Sequence, residues 1–239
     1  MRLAGLIAVL LLIAGCSRAS VQEPEPGTST PSSAASTQST PSSASPAPGK
    51  PSPSSKPATP PVAGAPIADV IAWVEAGRPV DAAGYHKATR DDETTDLVDE
   101  VAFTVPAGSR QATKCMTDKD AGDSALACVV DLVSPPPQPA DIYGQWKGGW
   151  VDFGGNSLRV GSAHGDPGRF LHGDGAELPD GDTLSFGDYR CRADRTGLYC
   201  VNYAHRSAVL LRPEGIATFG CLHPVPPPVD AGKLFSCAS

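Results

Sequence analysis

The sequence lacks the features that mark several large classes of protein. Only 6% of its 239 residues are aromatic, and the N-terminal apolar run, Leu3–Ile13, is too short to span a bilayer as a permanent helix. No two Cys residues have a Cys-x-x-Cys or zinc-knuckle spacing, which argues against a thioredoxin-type or zinc-finger site. The 26 acidic residues outnumber the 19 basic ones, so the net charge is −7. Nucleic acids and anionic membrane surfaces would repel such a chain, and we expect neither as a direct partner.

The N-terminal segment has the features of a bacterial export signal with a lipidated cysteine. Arg2 precedes the apolar run, and small residues follow it up to Cys16. The sequence Ile-Ala-Gly-Cys over residues 13–16 resembles a lipobox, whose cysteine becomes the new N-terminus and carries a diacylglyceryl group and a further acyl chain. Two or three acyl chains anchor a protein firmly. We therefore expect residues 1–15 to be a signal peptide and Cys16 to hold the exported protein on the outer face of the cell membrane; an ordinary secretory signal is the alternative.

Residues 16–66 predict a disordered tether behind the lipid. They are almost all Ser, Thr, Pro, Ala and Gly, and Val21 and Val62 are the only sizeable apolar side chains among them. So little apolar surface cannot offset the entropy lost on ordering the chain. The composition is also that of an O-glycosylated stalk, and the sequence leaves this alternative open.

Residues 67–239 have the size of one globular domain, and their pattern is mostly that of short strands. Helical spacing of apolar residues, with a Pro at the start and a Gly at the end, predicts one helix over Pro66–Gly77. Short apolar runs broken by Gly and Asp follow it, such as VAFTV, ACVVDLV, GWVDF and LYCVNY. This pattern predicts a mainly β sandwich or barrel with one N-terminal helix. The order strand, turn, cysteine, hairpin, cysteine, strand occurs twice and suggests two modules of similar build.

The six Cys residues of the exported domain predict disulfide bonds, because an even count outside the cell is typical of a disulfide framework. Six cysteines allow 15 connectivities, and the sequence alone does not choose among them. Local chemistry favours pairing of neighbours along the chain. The favoured pairs are Cys115–Cys128, Cys191–Cys200 and Cys221–Cys237.

The second and third of these pairs carry more detailed expectations. If Gly197 ends a four-residue loop that begins at Asp194, then Cys191 lies directly opposite Cys200 in an antiparallel hairpin. Such a non-hydrogen-bonded pair has a Cα separation within reach of a disulfide. The segment between the last two cysteines, residues 222–236, contains many prolines, and we expect neither strand nor helix there. The third disulfide would then pin an irregular tail to the body.

Beyond the lipobox and the tether, four stretches of the domain bear on its family: IAWVEAG, VAFTVP, WKGGWVDF and GDYRCRADRTGLYCVNYAH. Together these features resemble the actinobacterial, mycobacterial-type cell-envelope lipoproteins of the Lpp/Lpr kind. The resemblance covers essentially the whole exported domain. It implies an envelope location and a fold type, and it brings no catalytic residues.

A Gly-rich stretch carries the strongest candidates for metal binding. His164, Asp166, His172 and Asp174 form two His-Gly-Asp triplets eight residues apart. Imidazole and carboxylate groups suit divalent metals, so a metal-dependent hydrolase using this stretch is one hypothesis. The spacing matches no established ligand pattern, and no Gly-x-Ser-x-Gly elbow is present. A solvated loop in which Asp and Gly serve turn geometry is the favoured alternative, and we expect no cofactor and no enzyme.

A cluster of aromatic residues offers a second kind of site. Tyr143, Trp146, Trp150 and Phe153 occur close together beside amide and carboxylate side chains. Exposed rings among such groups suit a sugar-binding face, whereas buried rings would only fill a core, which is the favoured alternative. The sequence as a whole predicts a lipid-anchored extracytoplasmic protein with a binding or structural role. A cell-wall glycan or another protein is its candidate partner.

Overall fold

The computed structural model describes residues 59–118, 126–163 and 168–237. The predicted signal peptide, Cys16 and most of the predicted tether lie outside these ranges, as do His164 and Asp166. Within the ranges the protein is mainly β, with one α-helix, two short 3₁₀ helices and sixteen strands. None of the helices described here has the length and apolar character that crossing a membrane requires.

Two open sheets and one separate hairpin contain all the strands of the described residues. The large sheet contains, in spatial order, β15 (His223–Val225), β16 (Ala231–Ser236), β8 (Ser157–Ala163), β7 (Trp146–Phe153), β6 (Leu126–Val129), β5 (Arg110–Thr117), β4 (Ala102–Ala107) and β9 (Ala176–Glu177). The small sheet contains β1 (Arg78–Pro79), β10 (Asp182–Phe186), β11 (Tyr189–Asp194), β12 (Gly197–Asn202), β13 (Ser207–Arg212) and β14 (Gly215–Phe219). The hairpin consists of β2 (Lys87–Arg90) and β3 (Glu93–Asp96). The 3₁₀ helices are Ala82–Tyr85 and Gly168–Phe170.

The two sheets pack face to face as a sandwich. Phe103 and Phe153 of the large sheet share one buried core cluster with Leu184 and Leu198 of the small sheet. Each sheet has two free edges and does not close on itself, so the sandwich expected from the sequence is confirmed and the barrel alternative is wrong. Burial of both inner faces is the main source of stability in such a fold.

Helix α1 (Ile67–Glu75) adds a third layer on the outer face of the small sheet. Strand β12 shows why this layer is needed: Leu198 faces the sandwich core, whereas Tyr199 and Val201 face outward and pack with the helix residue Trp73. Because successive side chains of a strand point to opposite faces, an outer row this apolar requires its own cover. The helix begins and ends within two residues of the predicted bounds, with Pro66 at its N-cap.

The first two predicted disulfides are present, and each joins neighbouring strands. Cys115 on β5 pairs with Cys128 on β6, and Cys191 on β11 pairs with Cys200 on β12, each with Cα atoms 4.1 Å apart. The predicted register of the second hairpin is confirmed, since Cys191 lies directly opposite Cys200. The loop is shorter than expected: Asp194 pairs with Gly197, so only Arg195 and Thr196 lie between the strands. Gly197 has a φ of +134° and is the first residue of β12.

The third predicted disulfide, Cys221–Cys237, is also present, but the expectation of an irregular tail between its cysteines is wrong. Strands β15 and β16 form a hairpin there, and β16 pairs with β8 of the large sheet. The prolines do not prevent this because Pro224 lies on β15, the outermost strand of the sheet, where a missing N–H breaks no ladder.

The two sheets also share an internal plan. Strands β4–β8 and β10–β14 are each a five-stranded antiparallel meander, and the disulfide of each meander joins its second and third strands. A two-residue strand lies parallel to the first strand of each meander, β9 beside β4 and β1 beside β10. The repeated order of elements seen in the sequence therefore corresponds to two similar sheets.

Candidate functional site

The outer face of the large sheet is covered by two separate pieces of chain. One is the hairpin β2–β3, and the other is residues 168–175, which we name the covering segment. Ala88 and Leu97 from the hairpin region and Phe170 from the covering segment pack with Ala102 and Met116 of the sheet. This small apolar cluster holds both pieces against the sheet and leaves a cavity beside them.

The covering segment is fixed to the sheet at its start. The ring of Phe170 packs edge-on against Trp150, with ring centroids 5.6 Å apart. The Arg169 guanidinium lies 3.4 Å from a carboxylate oxygen of Asp118 and 3.5 Å from one of Asp152, and the Arg169 side chain is only 15% exposed. An aromatic contact and a largely buried charge network thus act on adjacent residues.

The covering segment is joined to the hairpin through the backbone near its end. The Thr89 N–H donates to the Asp174 carbonyl at 2.8 Å, and the Asp174 N–H donates to the Thr89 carbonyl at 3.0 Å. Gly173 has a φ of +92°, and a Cβ at this position would lie 2.0 Å from the Thr89 carbonyl oxygen. Gly173 is therefore required for the close approach of the two backbones. The glycine of the second His-Gly-Asp triplet has a structural role.

Between the hairpin, the covering segment and the sheet lies a cavity of about 420 Å³, which we name the sheet-face pocket. Its walls come from five places in the sequence. The side chains and backbone that line it are Thr89, Arg90 and Asp91 of the hairpin, Gln111 and Lys114 of β5, Val129 and Lys147 of β6 and β7, and Phe170, Gly173 and Asp174 of the covering segment.

An ion pair lies across the sheet-face pocket. The Lys114 ammonium is 2.7 Å from a carboxylate oxygen of Asp174, and the two side chains are 39% and 42% exposed. Strand alternation places Lys114 on the outer face, because its neighbour Cys115 points into the core. Charged donors and acceptors therefore face each other within the pocket and remain accessible to solvent.

The hairpin contributes a second group of charges at the pocket edge. Asp91 and Asp92 have φ values of +51° and +68°, as expected for the two central residues of a tight hairpin turn. The Arg90 guanidinium lies 3.6 Å from the Asp91 carboxylate and donates to the Leu171 carbonyl at 3.3 Å. A smaller cleft of about 290 Å³, which Glu93 and His172 also line, shares Arg90 and Asp91 with this edge.

The structure separates the four residues of the metal hypothesis. Asp174 contributes to the sheet-face pocket, where its carboxylate pairs with Lys114, and His172 is exposed in the adjoining cleft. His164 and Asp166 fall outside the described residues. Across residues 59–118, 126–163 and 168–237, no group of three or more His, Cys, Asp or Glu side chains is arranged to hold a metal ion.

The hypothesis of one aromatic sugar-binding face is wrong. Trp150 and Phe153 are both fully buried, the first beneath the covering segment and the second in the sandwich core, so neither can stack on a sugar. Trp146 is half-buried, and its indole N–H donates to the Pro136 carbonyl at 2.9 Å. Tyr143 alone is open to solvent, with 91% of its surface exposed. Trp150 and Phe153 therefore pack inside the protein, as the favoured alternative predicted, and the other two rings do not join them in a common face.

Sequence reasoning missed most of the sheet-face pocket. Thr89, Arg90, Gln111, Lys114 and Lys147 form no motif, and polar residues alternating with buried ones on a strand look like ordinary solvent-facing positions. Comparison of the chain with protein-family models, with curated proteins and with solved structures found no match.

Proposed function

We propose that this protein is an exported, lipid-anchored binding protein of the cell envelope, and that its sheet-face pocket binds a saccharide. The observation that carries the proposal is the accessible Lys114–Asp174 pair, with a donor and an acceptor 2.7 Å apart in a cavity of about 420 Å³. A cavity of this size is within the range of small-molecule sites.

The mixture of groups favours a neutral, polyhydroxylated ligand over a strongly charged one. Arg90, Lys114 and Lys147 line the pocket with Asp91 and Asp174, and Glu93 lies in the adjoining cleft, so positive and negative side chains balance. A sugar hydroxyl donates to a carboxylate and accepts from an ammonium or guanidinium, and it can therefore bridge such a pair. Charged hydrogen bonds of this kind are stronger than neutral ones.

The predicted lipid anchor would place the sheet-face pocket near the glycans of the cell envelope. Cys16 would carry the lipid, and the tether of residues 16–66 would reach about 40 Å from the membrane as a flexible coil. A saccharide of the cell wall or of an envelope glycolipid lies within such a distance. The protein would then hold or deliver that saccharide without changing it.

Binding to the sheet-face pocket is tested with the full chain and an array of cell-wall oligosaccharides, followed by calorimetry of the glycans that bind. Lys114→Ala and Asp174→Ala should each weaken binding about tenfold, the value of one charged hydrogen bond. Lys87→Ala is the matched control, because Lys87 is an exposed lysine on the hairpin that pairs with Asp96 at 3.8 Å and does not line the pocket. Absence of glycan binding, or equal affinity of Lys114→Ala and wild type, would refute the saccharide proposal.

The anchor is tested separately by Cys16→Ala. Thioether formation and lipoprotein cleavage both need the thiol, so the variant should remain an unprocessed precursor or appear in the medium. Metabolic labelling with a radioactive fatty acid distinguishes the two proteins, with label in wild type alone. Wild type without label, or a variant labelled as strongly as wild type, would show that Cys16 is not lipidated.

A further inference from the structure

A second cavity of about 440 Å³ opens at one end of the sandwich, and we name it the end cavity. Three turns surround it: β4–β5 from the large sheet, and β11–β12 and β13–β14 from the small sheet. It shares no lining residue with the sheet-face pocket. The end cavity is therefore a separate place on the molecule, where the inner faces of both sheets reach the surface.

The floor of the end cavity is apolar except for one hydroxyl. Val105 of the large sheet and Leu198 and Leu211 of the small sheet line it, and all three belong to the sandwich core. Thr113, directly opposite Val105, lines the same floor and is only 3% exposed. Its hydroxyl is not one of the fully buried polar atoms that lack a partner among the described residues, so it is not sealed inside the core. A hydroxyl that lines a cavity in this way can exchange a hydrogen bond with a ligand.

The rim of the end cavity carries guanidinium groups from both sheets. Arg110 of β5 donates from Nε to the Asp131 carbonyl at 2.9 Å and from a terminal nitrogen to the Asp131 carboxylate at 2.7 Å. These bonds hold Arg110 in place, and its hydrogen bond lowers the pKa of Asp131. Arg195 lies in the β11–β12 turn, its side chain is 91% exposed, and its guanidinium is 3.5 Å from a carboxylate oxygen of Asp180. An exposed ion pair of this kind is weak, so an anionic ligand can take the place of Asp180. Glu214 is the acidic residue of the lining.

We infer that the end cavity is a second binding site, for a small organic anion with an apolar body. The carboxylate would bind between Arg110 and Arg195, since a guanidinium presents paired N–H donors to a carboxylate. The apolar body would pack between Val105 and the two leucines of the small sheet. A hydroxyl at the far end of the ligand would bond the Thr113 hydroxyl.

Three small probes separate these contacts in calorimetric titrations of the full chain: 4-hydroxybenzoate, benzoate and benzyl alcohol. We expect 4-hydroxybenzoate to bind most tightly, benzoate about tenfold more weakly, and benzyl alcohol more weakly again. Thr113→Val should abolish the advantage of 4-hydroxybenzoate over benzoate, because valine has the same shape and no hydroxyl. Arg195→Ala should weaken both carboxylates about tenfold and leave benzyl alcohol unchanged.

Two controls make the result specific to the end cavity. Arg159 is a surface arginine that pairs with Asp230 at 3.0 Å and does not line the end cavity. The Arg159→Ala protein should therefore bind all three probes as wild type does. The Lys114→Ala protein, in which the sheet-face pocket is impaired, should also bind all three probes as wild type does. The saccharide proposal and the inference about the end cavity can therefore be refuted independently. Absence of binding by all three probes, or wild-type affinity of Arg195→Ala for benzoate, would overturn the inference.

Discussion

The indole of Trp150 lies edge-on to the ring of Phe170, with the ring planes at 80° and the centroids 5.6 Å apart. Trp150 belongs to the large sheet and is fully buried, whereas Phe170 belongs to the covering segment and lines the sheet-face pocket. The aromatic cluster noticed in the sequence thus supports the wall of a pocket and does not itself form a binding face.

Phe170→Ala should loosen that wall. The substitution removes a partly buried ring, and we expect the free energy of unfolding to fall by about 1–3 kcal/mol, less than for a fully buried phenylalanine. Chemical denaturation measures this loss, and Phe170→Leu should recover most of it. Saccharide binding should weaken in the alanine variant more than in the leucine variant. Unchanged stability of Phe170→Ala would show that the contact does not hold the covering segment.

Gly173→Ala should be much more harmful than Gly181→Ala. Both glycines have positive φ values, +92° and +84°, but a Cβ at Gly173 would lie 2.0 Å from the Thr89 carbonyl oxygen, whereas nothing lies within 4 Å of a Cβ at Gly181. Both variants bear the cost of a positive φ, about 1 kcal/mol. Only Gly173→Ala must also break the two backbone hydrogen bonds between Thr89 and Asp174. Equal melting temperatures of the two variants would contradict this role for Gly173.

The local parts of the fold were predictable because their causes lie in a few neighbouring residues. The register of Cys191 and Cys200 follows from a tight turn centred on Arg195 and Thr196, and a loop of either two or four residues about that centre gives the same pairing. The hairpin β15–β16 was missed because the prolines suggested an irregular segment. Whether a proline is tolerated in a strand depends on the position of that strand in the sheet, and Pro224 lies on the outermost one.

The aromatic prediction failed for a reason that the sequence already contained. Trp150 and Phe153 are three positions apart on one strand, and an odd separation places two side chains on opposite faces of a sheet. They could not have belonged to one face. The sheet-face pocket could not be predicted in the same way, because Thr89, Lys114 and Asp174 are distant in sequence and meet only through the packing of three pieces of chain.

Loss of the proton of Tyr189 should lower the stability of the protein at alkaline pH. Burial raises the pKa of Tyr189 to about 12, and its hydroxyl donates to the Phe153 carbonyl at 2.8 Å. The unfolded tyrosine loses its proton near pH 10, whereas the folded one keeps it, so the folded state binds more protons between pH 10 and 12. The stability contributed by this group is complete below pH 10 and is lost as pH rises through that window.

Thermal melts of Tyr189→Phe across pH 8–12 test this linkage. The variant should be about 1 kcal/mol less stable at neutral pH, because the Phe153 carbonyl loses a hydrogen bond. Its stability should fall less steeply than that of wild type above pH 10. Tyr143→Phe is the control, because Tyr143 is 91% exposed, and its profile should match that of wild type. Parallel alkaline profiles for wild type and Tyr189→Phe would contradict the role of this hydroxyl.

The three disulfides should differ in how they react with a reductant. Cys115, Cys128, Cys191 and Cys200 are each at most 1% exposed, whereas Cys221 and Cys237 are half-buried near the surface. A thiolate must reach a sulfur to break the bond, so a mild reductant under native conditions should open Cys221–Cys237 alone. The two core disulfides should open only when the protein unfolds.

Alkylation of newly formed thiols followed by peptide mapping measures the order of reduction. Replacing Cys221 and Cys237 with Ala should remove all native-state thiol release and leave the fold intact, since β16 stays paired with β8 through five residue pairs. Replacing Cys191 and Cys200 with Ala should cost about 2–4 kcal/mol and leave the surface disulfide as reactive as before. A chelator should change neither variant, because these cysteines are joined by disulfides and do not hold a metal ion. Release of Cys191 or Cys200 before Cys221 would mean that the core of the sandwich opens more readily than its edge.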